Sequence, residues 1–558
     1  MSAEAPRGVH IRGGASDQTA YLLDGVPVFS PYHAAGMFSA WNPDALARLQ
    51  LASFSPTAAL PDALSGAITA VTRTPGPYFS AQGSVSTTQA RFTVDGPAGI
   101  AGSGFLLSLR SGFPSVIAPR DEASYVRGAT GDQLAKIEAP AWGGRLRLIG
   151  YHSHNEIDAA TVADAPDAAS PDPGRNAFEW RSRSVGAEWT RAISRGLIRV
   201  QMWSAAANAS ASWATASGEI AYMTAVRGDE GLLGAVETNV AGGATIAGMR
   251  VERSRTSYRV ESESSDSAVS AMSGRMPIAA VFIQHTRPVG GRTEIDLGAS
   301  VTSAAGAVHA SPRARLRWKL REPLAFSAGY ARLHQFAQSL RNPESIVGTI
   351  FPVDLYVGAG TGRVPVARSD QAVIAADYRP VAALHLGLQA YARNFEGLLL
   401  VAPRAGEPFA TGAFATGSGT ARGFSLDAAV SAARFGGVAS YGWQRVMLEY
   451  GDSSYVPEHG TTHLLEAGVI VFPTATSSVR LGAAGALGRR ATALSGGLEF
   501  EACNLLDQGC EFSGSPHHDA ASLGDTKLPA YLRVDLGIRK HWHLEVAGRD
   551  ASVALFGT

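Results

Sequence analysis

Two cysteines and two adjacent histidines lie close together near the end of the chain, where they could form a disulfide or bind a metal. Cys503 and Cys510 have six residues between them and no second pair at a zinc-type spacing, which favours a short-loop disulfide in an oxidising compartment over two reduced thiols. His517, His518 and Asp519 follow and could capture a metal or a metal chelate. Because adjacent residues rarely supply two ligands from one side, we interpret this segment as a solvated surface loop and predict no metal site.

No catalytic signature accompanies these residues. The sequence contains no GxSxG, no HExxH, no P-loop with its lysine and no CxxC. Scattered His, Ser and Asp residues do not select a nucleophile and a base on neighbouring elements. We therefore predict that the protein is not an enzyme, with no catalytic residues and no cofactor.

The composition argues against a nucleic-acid-binding protein and against a helical membrane protein. The 48 basic and 48 acidic residues give a formal net charge of zero, whereas a nucleic-acid footprint needs a clustered basic excess. The best apolar run, LLEAGVIVF at 464–472, is far shorter than the roughly 20 residues of a transmembrane helix, and it contains Glu466. Only 17% of the residues are charged and 62 are glycine. This composition suits a transmembrane β-barrel and also a large soluble β-protein.

Long alternating segments favour the barrel. In YLRVDLGIRKHWHLEV, at 531–546, apolar residues alternate with Arg533, Asp535 and Arg539. An ordinary strand has about 5–6 residues, whereas this run is long enough to cross a bilayer as a tilted strand. Short turns alternate with long polar loops, as in outer-membrane barrels. We predict a barrel over 77–558, and the same pattern recurs at 105–113, 313–320 and 384–394.

Residues 1–76 lack such runs and have the turn-rich pattern of a small α/β unit. NPDALARLQL at 42–51 predicts a helical turn that leads into a strand, and LSGAITAVTR at 64–73 predicts a second strand. Four segments resemble, in order, the second half of the plug domain of TonB-dependent outer-membrane receptors: IRGG (11–14), YLLDGVPV (21–28), WNPDALARLQLAS (41–53) and LSGAITAVTRTPG (64–76). Further segments are similar to barrel strands and loops of that family, including FTVDGPAG (92–99), SLRNPES (339–345) and LPAYLRVDLGIR (528–539).

The resemblance implies an all-β fold: a large antiparallel transmembrane β-barrel of 22 strands with a partial N-terminal α/β plug, residues 1–76, inside the lumen. It implies a place in the outer membrane of a Gram-negative-type bacterium and TonB-driven import of a scarce nutrient, such as a siderophore, a glycan fragment or a similar large solute. The implied partners are outer-membrane lipid, the TonB complex for the full-length form and, as a further candidate, a surface lipoprotein. No nucleic-acid partner is expected.

The sequence departs from the family pattern at both ends. Family members begin with a signal peptide, a short TonB-contacting segment and the first half of the plug, and none of these precedes IRGG. The chain ends at ALFGT without the terminal aromatic residue that assembly machinery reads. We therefore expect a truncated gene product or a cloned fragment that does not couple to TonB as written.

The family places ligand contacts on the apical loops of the plug and on the inner barrel wall. The matching loops here are 14–18 and 29–37. Polar groups raised on tight loops into a cavity suit ligand recognition. The alternative is that these side chains only pack the plug against the barrel wall. The predicted ligand contacts are Asp17, Gln18, Tyr32 and His33.

Six other residues of the plug are interpreted as structural. Arg12 is expected in a structural ion pair, in a cavity lined by opposite charge, rather than in contact with a ligand. Asp24 and Gly25 form a hairpin-turn dipeptide, and Gly66 is expected where backbones approach closely. The predicted structural motif comprises Arg12, Gly13, Gly14, Asp24, Gly25 and Gly66.

Three functions stay open at this point. The first is a gated importer. The second is a surface binding or structural barrel, or an inactive truncated product, that has lost transport. The third, an outer-membrane barrel enzyme, has no residue pair to support it. An intact plug with an upstream TonB-contacting segment would separate the first function from the second, and hydrolysis of a substrate by the purified barrel would support the third.

Overall fold

The computed structural model describes most of the chain. None of its helical segments has the length and apolar character that crossing a membrane requires, within the residues described. Those residues are 8–33, 41–60, 62–112, 124–161, 177–214, 220–262, 270–340, 354–359, 364–401, 414–492, 494–495, 517–518, 523–546 and 549–557.

A small four-stranded sheet occupies the N-terminal part, and we call the described residues from 8 to 76 the plug. Its strands, numbered in chain order, are β1 (Thr19–Leu23), β2 (Val26–Pro27), β3 (Leu46–Ala52) and β4 (Gly66–Thr72). They lie in the order β2-β1-β4-β3, with β1 parallel to β4 and the other pairs antiparallel. Two 3₁₀ turns, Ser16–Gln18 and Pro43–Ala45, lead into β1 and β3.

The second 3₁₀ turn has a local cause that the sequence shows. The side chain of Asn42 accepts a hydrogen bond from the backbone N–H of Asp44, and Pro43 follows at the first helical position. An N-cap acceptor and a proline at this position both favour a helical start. The expected turn at 42–51 is therefore present, although it lasts only three residues before β3 begins.

A closed barrel of 22 strands surrounds the plug, and every pairing along the chain from its first strand to its last is antiparallel. One member, β24 (Ser453–Tyr455), is only three residues long and continues the ladder on β23 (Phe435–Tyr450) beyond the part that β25 (His463–Thr474) pairs. The strands are β5 (Ser80–Val85), β6 (Gln89–Pro97), β7 (Gly104–Gly112), β8 (Ser124–Ala141), β9 (Gly144–Thr161), β10 (Ala177–Ile193), β11 (Gly196–Ala214), β12 (Ile220–Val240), β13 (Gly243–Ser262), β14 (Ser270–Val289), β15 (Thr293–Ala304), β16 (Ala307–Arg321), β17 (Leu324–Gln335), β20 (Ala367–Val381), β21 (Leu384–Val401), β22 (Phe414–Ser431), β23 (Phe435–Tyr450), β24 (Ser453–Tyr455), β25 (His463–Thr474), β26 (Ser477–Leu487), β31 (Tyr531–Val546) and β32 (Arg549–Gly557).

Alternation along each strand separates a lumenal face from an outer face. On β31, the apolar residues of the predicted run are exposed on the outside, with Leu536 56% and Ile538 55% exposed. On β16, Leu316 and Trp318 face outward, whereas Arg313 is only 6% exposed and faces the lumen. An apolar outer face and a polar lumen are what a bilayer selects in a barrel.

Three short hairpins complete the described structure. Strands β18 (Ala337–Ser339) and β19 (Tyr356–Gly358) pair within the connection between β17 and β20. This hairpin lies in the lumen, where the N–H of Gly358 donates to Oγ1 of Thr256 on the wall (2.9 Å). The other two pairs are β27 (Arg490–Ala491) with β30 (Thr526–Lys527), and β28 (Leu494–Ser495) with β29 (His517–His518).

Many of the hydrogen bonds between the barrel wall and the plug end on backbone carbonyls of the plug. Lumen-facing donors reach carbonyl oxygens along the whole plug, so the plug is fixed at many separate points. The pairs are Arg393 with Ile11 and Leu64, Arg147 and Gln201 with Asp24, Ser184 with Pro27, Trp180 with Tyr32, Gln371 with Phe54, Arg313 with Pro56, and Lys136 with Arg73.

Candidate ligand-binding site

The turn Ile11–Gly14, which leads into the first apical loop, is built on two glycines. Arg12 and Gly13 have positive φ angles of 47° and 77°, and the N–H of Gly14 donates to the carbonyl of Ile11 (3.0 Å). A Cβ on Gly13 would lie 2.7 Å from Ala421 on the wall, and one on Gly14 would overlap Ser65. The double glycine therefore lets this turn approach the wall and the rest of the plug closely.

Asp17 lies under the lumenal hairpin. Its Oδ2 accepts hydrogen bonds from the N–H of Ser339 (2.9 Å) and from Nε2 of Gln335 (3.1 Å). Burial, together with the neighbouring carboxylate of Asp354, raises the pKa of the Asp17 carboxyl to about 7. Asp17 therefore changes its charge near neutral pH while it contacts the hairpin.

We expect the hairpin contact to weaken as pH rises through 7. The folded pKa of Asp17 is raised, so the closed arrangement binds more protons than an opened one and loses stability as the pH increases. Between pH 6 and pH 8, exchange of the Ser339 amide proton, corrected for its intrinsic rate, should accelerate about tenfold. The variant Asp17→Asn should abolish this change. If the acceleration persists in that variant, another group controls the hairpin.

Gln18 and Tyr32 make contacts inside the plug and to the wall. Gln18 is buried, and its Oε1 accepts a hydrogen bond from Oγ of Ser65 (2.9 Å). The hydroxyl of Tyr32 is hydrogen-bonded to the hydroxyl of Tyr21, and burial raises the pKa of Tyr21. The backbone carbonyl of Tyr32 accepts a hydrogen bond from Nε1 of Trp180 (3.2 Å). Both side chains thus help to hold the apical loops in place.

His33 forms part of a buried polar cluster with the wall. Its Nδ1 lies 3.1 Å from Oδ1 of Asn155, and its Nε2 lies 3.2 Å from Oδ2 of Asp132. Asp132 also accepts a hydrogen bond from Nε of Arg110 (2.5 Å). The ring is only 2% exposed, so it bridges the second apical loop and strands β8 and β9 in this arrangement.

Arg12 has neutral partners where an ion pair was expected. Its guanidinium donates to the carbonyl of Ser53 (2.7 Å) and to Oε1 of Gln389 (2.9 Å), and it lies over the ring of Tyr391. Burial lowers its pKa to about 10. Among the described residues no carboxylate forms an ion pair with Arg12, so hydrogen bonds to neutral oxygens hold its guanidinium in place.

The remaining structural residues occupy positions that require their backbone geometry. Asp24 and Gly25 are the two loop residues between β1 and β2, with φ angles of 49° and 85°. Both carboxylate oxygens of Asp24 accept from Thr72, at 2.9 Å from its N–H and 2.5 Å from its hydroxyl. A Cβ on Gly66 would lie 2.6 Å from the carbonyl oxygen of Ala52, so this glycine allows β3 and β4 to meet.

A family model for the β-barrel of TonB-dependent receptor-like proteins matches residues 130–553 of this chain. The chain belongs to the TonB-dependent receptor family. Proteins of this family are outer-membrane transporters that work with TonB, and this receptor is accordingly an outer-membrane nutrient receptor of a Gram-negative-type bacterium. No curated protein matches the receptor by sequence.

Solved structures share the fold at low sequence identity. The pyoverdine receptor FpvA from Pseudomonas aeruginosa PAO1, bound to pyoverdine, has a TM-score of 0.66 at 11% identity, with 95% of the receptor and 82% of FpvA covered. The ferric yersiniabactin uptake receptor FyuA from Yersinia pestis has a TM-score of 0.66 at 11% identity, with 98% of this chain and 89% of FyuA covered. The siderophore receptor PirA from Acinetobacter baumannii has a TM-score of 0.64 at 13% identity, with 95% of this chain and 85% of PirA covered.

The carboxyl-terminal residues that could have formed a disulfide or a metal site give little further information. Cys503, Cys510 and Asp519 lie outside the described residues, and of His517 and His518 only the backbone, in β29, is described. Among the described residues no group of three or more His, Cys, Asp or Glu side chains is placed to hold a metal ion.

One lumenal charge that connects the plug to the wall, Arg227, was not among the predicted residues. Arg227 on β12 donates to Asp229 on the same strand (3.0 Å) and to Asp62 of the plug (2.9 Å), between the rings of Phe29 and Tyr356. A basic residue two positions before an acidic one on a strand places both on one face, and this spacing is the signal in the sequence. It recurs as ion pairs at Lys136 and Glu138, Arg250 and Glu252, Arg259 and Glu261, and Arg533 and Asp535.

Proposed function

We propose that this receptor imports a large, scarce solute of the siderophore class, driven by TonB. The observation that carries the proposal is a closed barrel whose lumen holds a separate sheet, fixed by hydrogen bonds rather than by shared strands. Such a plug can be rearranged without opening the barrel. Several of the similar solved structures are receptors for pyoverdine, a siderophore or ferric yersiniabactin by name, and another is a copper transporter. None is named for a glycan, which supports the siderophore class over a glycan fragment.

We further propose that residues 1–76 are the plug domain, that 77–558 are the barrel, and that Asp17, Gln18, Tyr32 and His33 contact the ligand. Support comes from the position of the β18–β19 hairpin, which hydrogen-bonds to Asp17 and lies against Phe29 through Tyr356. Displacing this hairpin exposes the first apical loop. In the alternative interpretation, the same contacts only hold the plug in the barrel, and these side chains do not contact a ligand.

Uptake of iron chelates tests the transport function. Cells without other iron receptors, expressing the full-length form of this receptor, should grow on at least one ferric siderophore, and deletion of TonB should abolish that growth. Growth that is independent of TonB, or no growth on any chelate, would favour a surface binding or structural barrel instead.

A matched pair of tyrosine variants tests ligand contact. Tyr32→Phe and Tyr21→Phe both remove the hydrogen bond between the two hydroxyls, but only Tyr32 belongs to the predicted contacts. If the Tyr32 hydroxyl binds the ligand, Tyr32→Phe should raise the KM for uptake about 5- to 10-fold, the effect of one lost hydrogen bond, and Tyr21→Phe should not. Equal KM values in the two variants would assign Tyr32 to packing.

A further inference from the structure

Strands β16 and β17 separate over part of their length. Their ladder runs from the pair Arg313 and Ala331 to the turn at 321–324. Within the barrel, the described part of β16 before Arg313 pairs only with β15, and the described part of β17 after Ala331 pairs only with β20. Residues 307–312 and 332–335 therefore border a gap in the ladder, which we call the seam. Side chains must fill this part of the wall.

Two histidines meet across the seam. The ring centres of His309 on β16 and His334 on β17 lie 5.2 Å apart, with the ring planes at 57°. Phe336 is only 1% exposed and contacts both rings, with centre-to-centre distances of 5.5 Å to His309 and 6.4 Å to His334. His334 is itself buried. The two rings therefore form a pair that a common aromatic neighbour holds in place.

One nitrogen of each ring has an oxygen partner, and the other nitrogen has none. Nε2 of His309 lies 3.3 Å from the carbonyl oxygen of Ala304, which only accepts, so Nε2 carries the proton. Nδ1 of His334 lies 2.9 Å from Oγ of Ser311, which can accept the proton of Nδ1. Among the described residues neither ring makes a further hydrogen bond or ion pair. Metal-bound histidines have this arrangement, with one nitrogen on the metal and the other donating to an oxygen.

The separation of the rings suits a single tetrahedral metal ion. Zinc lies about 2.0–2.1 Å from each histidine nitrogen, and roughly 1.2 Å more to the ring centre places two tetrahedrally bound rings about 5.2 Å apart. His309 and His334 have this separation. Imidazole nitrogen is a suitable ligand for Zn²⁺ and Cu²⁺. We propose that His309 and His334 bind one divalent transition-metal ion, such as Zn²⁺, which bridges β16 and β17.

The surroundings of the pair leave two positions of the ion open and do not repel it. Within the described chain no third His, Cys, Asp or Glu joins the two histidines, so water completes the tetrahedral shell. Arg368 on β20 is the register partner of His334. It forms ion pairs with Asp370 (3.3 Å) and Glu396 (2.6 Å). The positive charge beside the pair is therefore compensated.

The site lies where β17 also contacts the plug. The carbonyl of His334 accepts a hydrogen bond from the N–H of Ala63 (3.1 Å), and the N–H of Phe336 donates to Asp62 (2.8 Å). A bound ion would therefore connect β16 to the part of β17 that holds the plug. The site shares no residue with the predicted ligand contacts, so it does not depend on the proposed function.

Hydrogen exchange with and without zinc tests the site. The receptor is purified in detergent micelles, freed of metal with a chelator and titrated with Zn²⁺ by calorimetry, and exchange is then measured at about 100 times the Kd. Because the ion binds the closed seam, exchange of the amides at 307–312 and 332–335 through opening of the seam should slow by up to about 100-fold. Mg²⁺, which prefers oxygen ligands, should not slow it.

Three variants make the test specific. His309→Gln removes one ligand and should abolish the slowing by Zn²⁺. Ser311→Ala keeps both ligands but loses the oxygen that orients His334, so it should raise the Kd for Zn²⁺ about 10- to 100-fold, and it tests the site if His309→Gln does not fold. His285→Gln is the matched control, because Nδ1 of His285 is also hydrogen-bonded to a hydroxyl, that of Thr245 (2.8 Å), but no second histidine ring contacts it among the described residues. This control should be slowed as much as the unchanged receptor.

Three results would overturn the proposal. The first is exchange in the unchanged receptor that Zn²⁺ does not slow. The second is equal slowing in His309→Gln and His285→Gln, because other residues would then bind the ion. The third is equal slowing by Zn²⁺ and Mg²⁺, because a histidine site selects against Mg²⁺.

Discussion

Replacing Arg227 with methionine should loosen the plug by about 3–5 kcal/mol, because it leaves two buried carboxylates without their cation. Asp62 belongs to the plug and Asp229 to the wall, and both accept hydrogen bonds from the same Nη2 atom (2.9 and 3.0 Å). Asp62 also accepts from the N–H of Phe336 (2.8 Å), next to the lumenal hairpin. One guanidinium therefore connects plug, wall and hairpin.

Hydrogen exchange measures this effect directly. In Arg227→Met, the amides of β1 and β4 should exchange about 10²- to 4 × 10³-fold faster than in the unchanged receptor, since each 1.4 kcal/mol corresponds to a factor of ten. The triple variant D62N/R227M/D229N removes the uncompensated charges and should recover most of the protection. Wild-type protection in Arg227→Met would show that the cluster does not fix the plug.

Replacing Arg393 with methionine should release the turn at Ile11–Gly14, which leads into the first apical loop. Arg393 is only 2% exposed, and it donates to the carbonyls of Ile11 (2.9 Å) and Leu64 (2.7 Å) while its guanidinium lies over Phe395. Each buried acceptor left without a donor costs about 1–3 kcal/mol, so two should cost about 2–6 kcal/mol. Cells with this variant should become permeable to large antibiotics that the plugged barrel excludes.

Two variants define the cause of that permeability. Arg393→Lys keeps the charge but lacks the planar fork that reaches two carbonyls, so it should give an intermediate leak. Arg422→Met changes an outward arginine of the neighbouring strand and should give none. If Arg393→Met cells stay as impermeable as the parent, other contacts suffice to hold the turn.

Strands and their faces could be predicted where the two faces differ in polarity. The run at 531–546 forms β31 with the bounds Tyr531–Val546, and its apolar residues face outward. On β13 the contrast fades, because Arg250 and Glu252 point inward while Arg253 and Arg255 point outward. A period of two identifies two faces, but it cannot assign them when both are charged.

The candidate site was predicted as a set of loops but not as a set of contacts. Asp17, Gln18, Tyr32 and His33 all lie on the apical loops, yet the partners of Asp17 are residues 335 and 339, more than 300 positions along the chain. Those distances depend on the register of many strands and on how the connection after β17 folds into the lumen. No local pattern contains this information. The contact of Arg227 with Asp62 of the plug is non-local in the same way, although its pairing with Asp229 follows from their spacing on β12.

The attachment of the plug through its carbonyl oxygens has a consequence for evolution. Every residue type carries the same backbone oxygen, so plug side chains can be exchanged without losing the bonds donated by Arg393, Lys136 or Gln201. The wall donors have no such freedom, because their side chains supply the hydrogen. Related chains should therefore diversify their plug loops, and the specificity those loops carry, faster than the few lumenal positions that retain them.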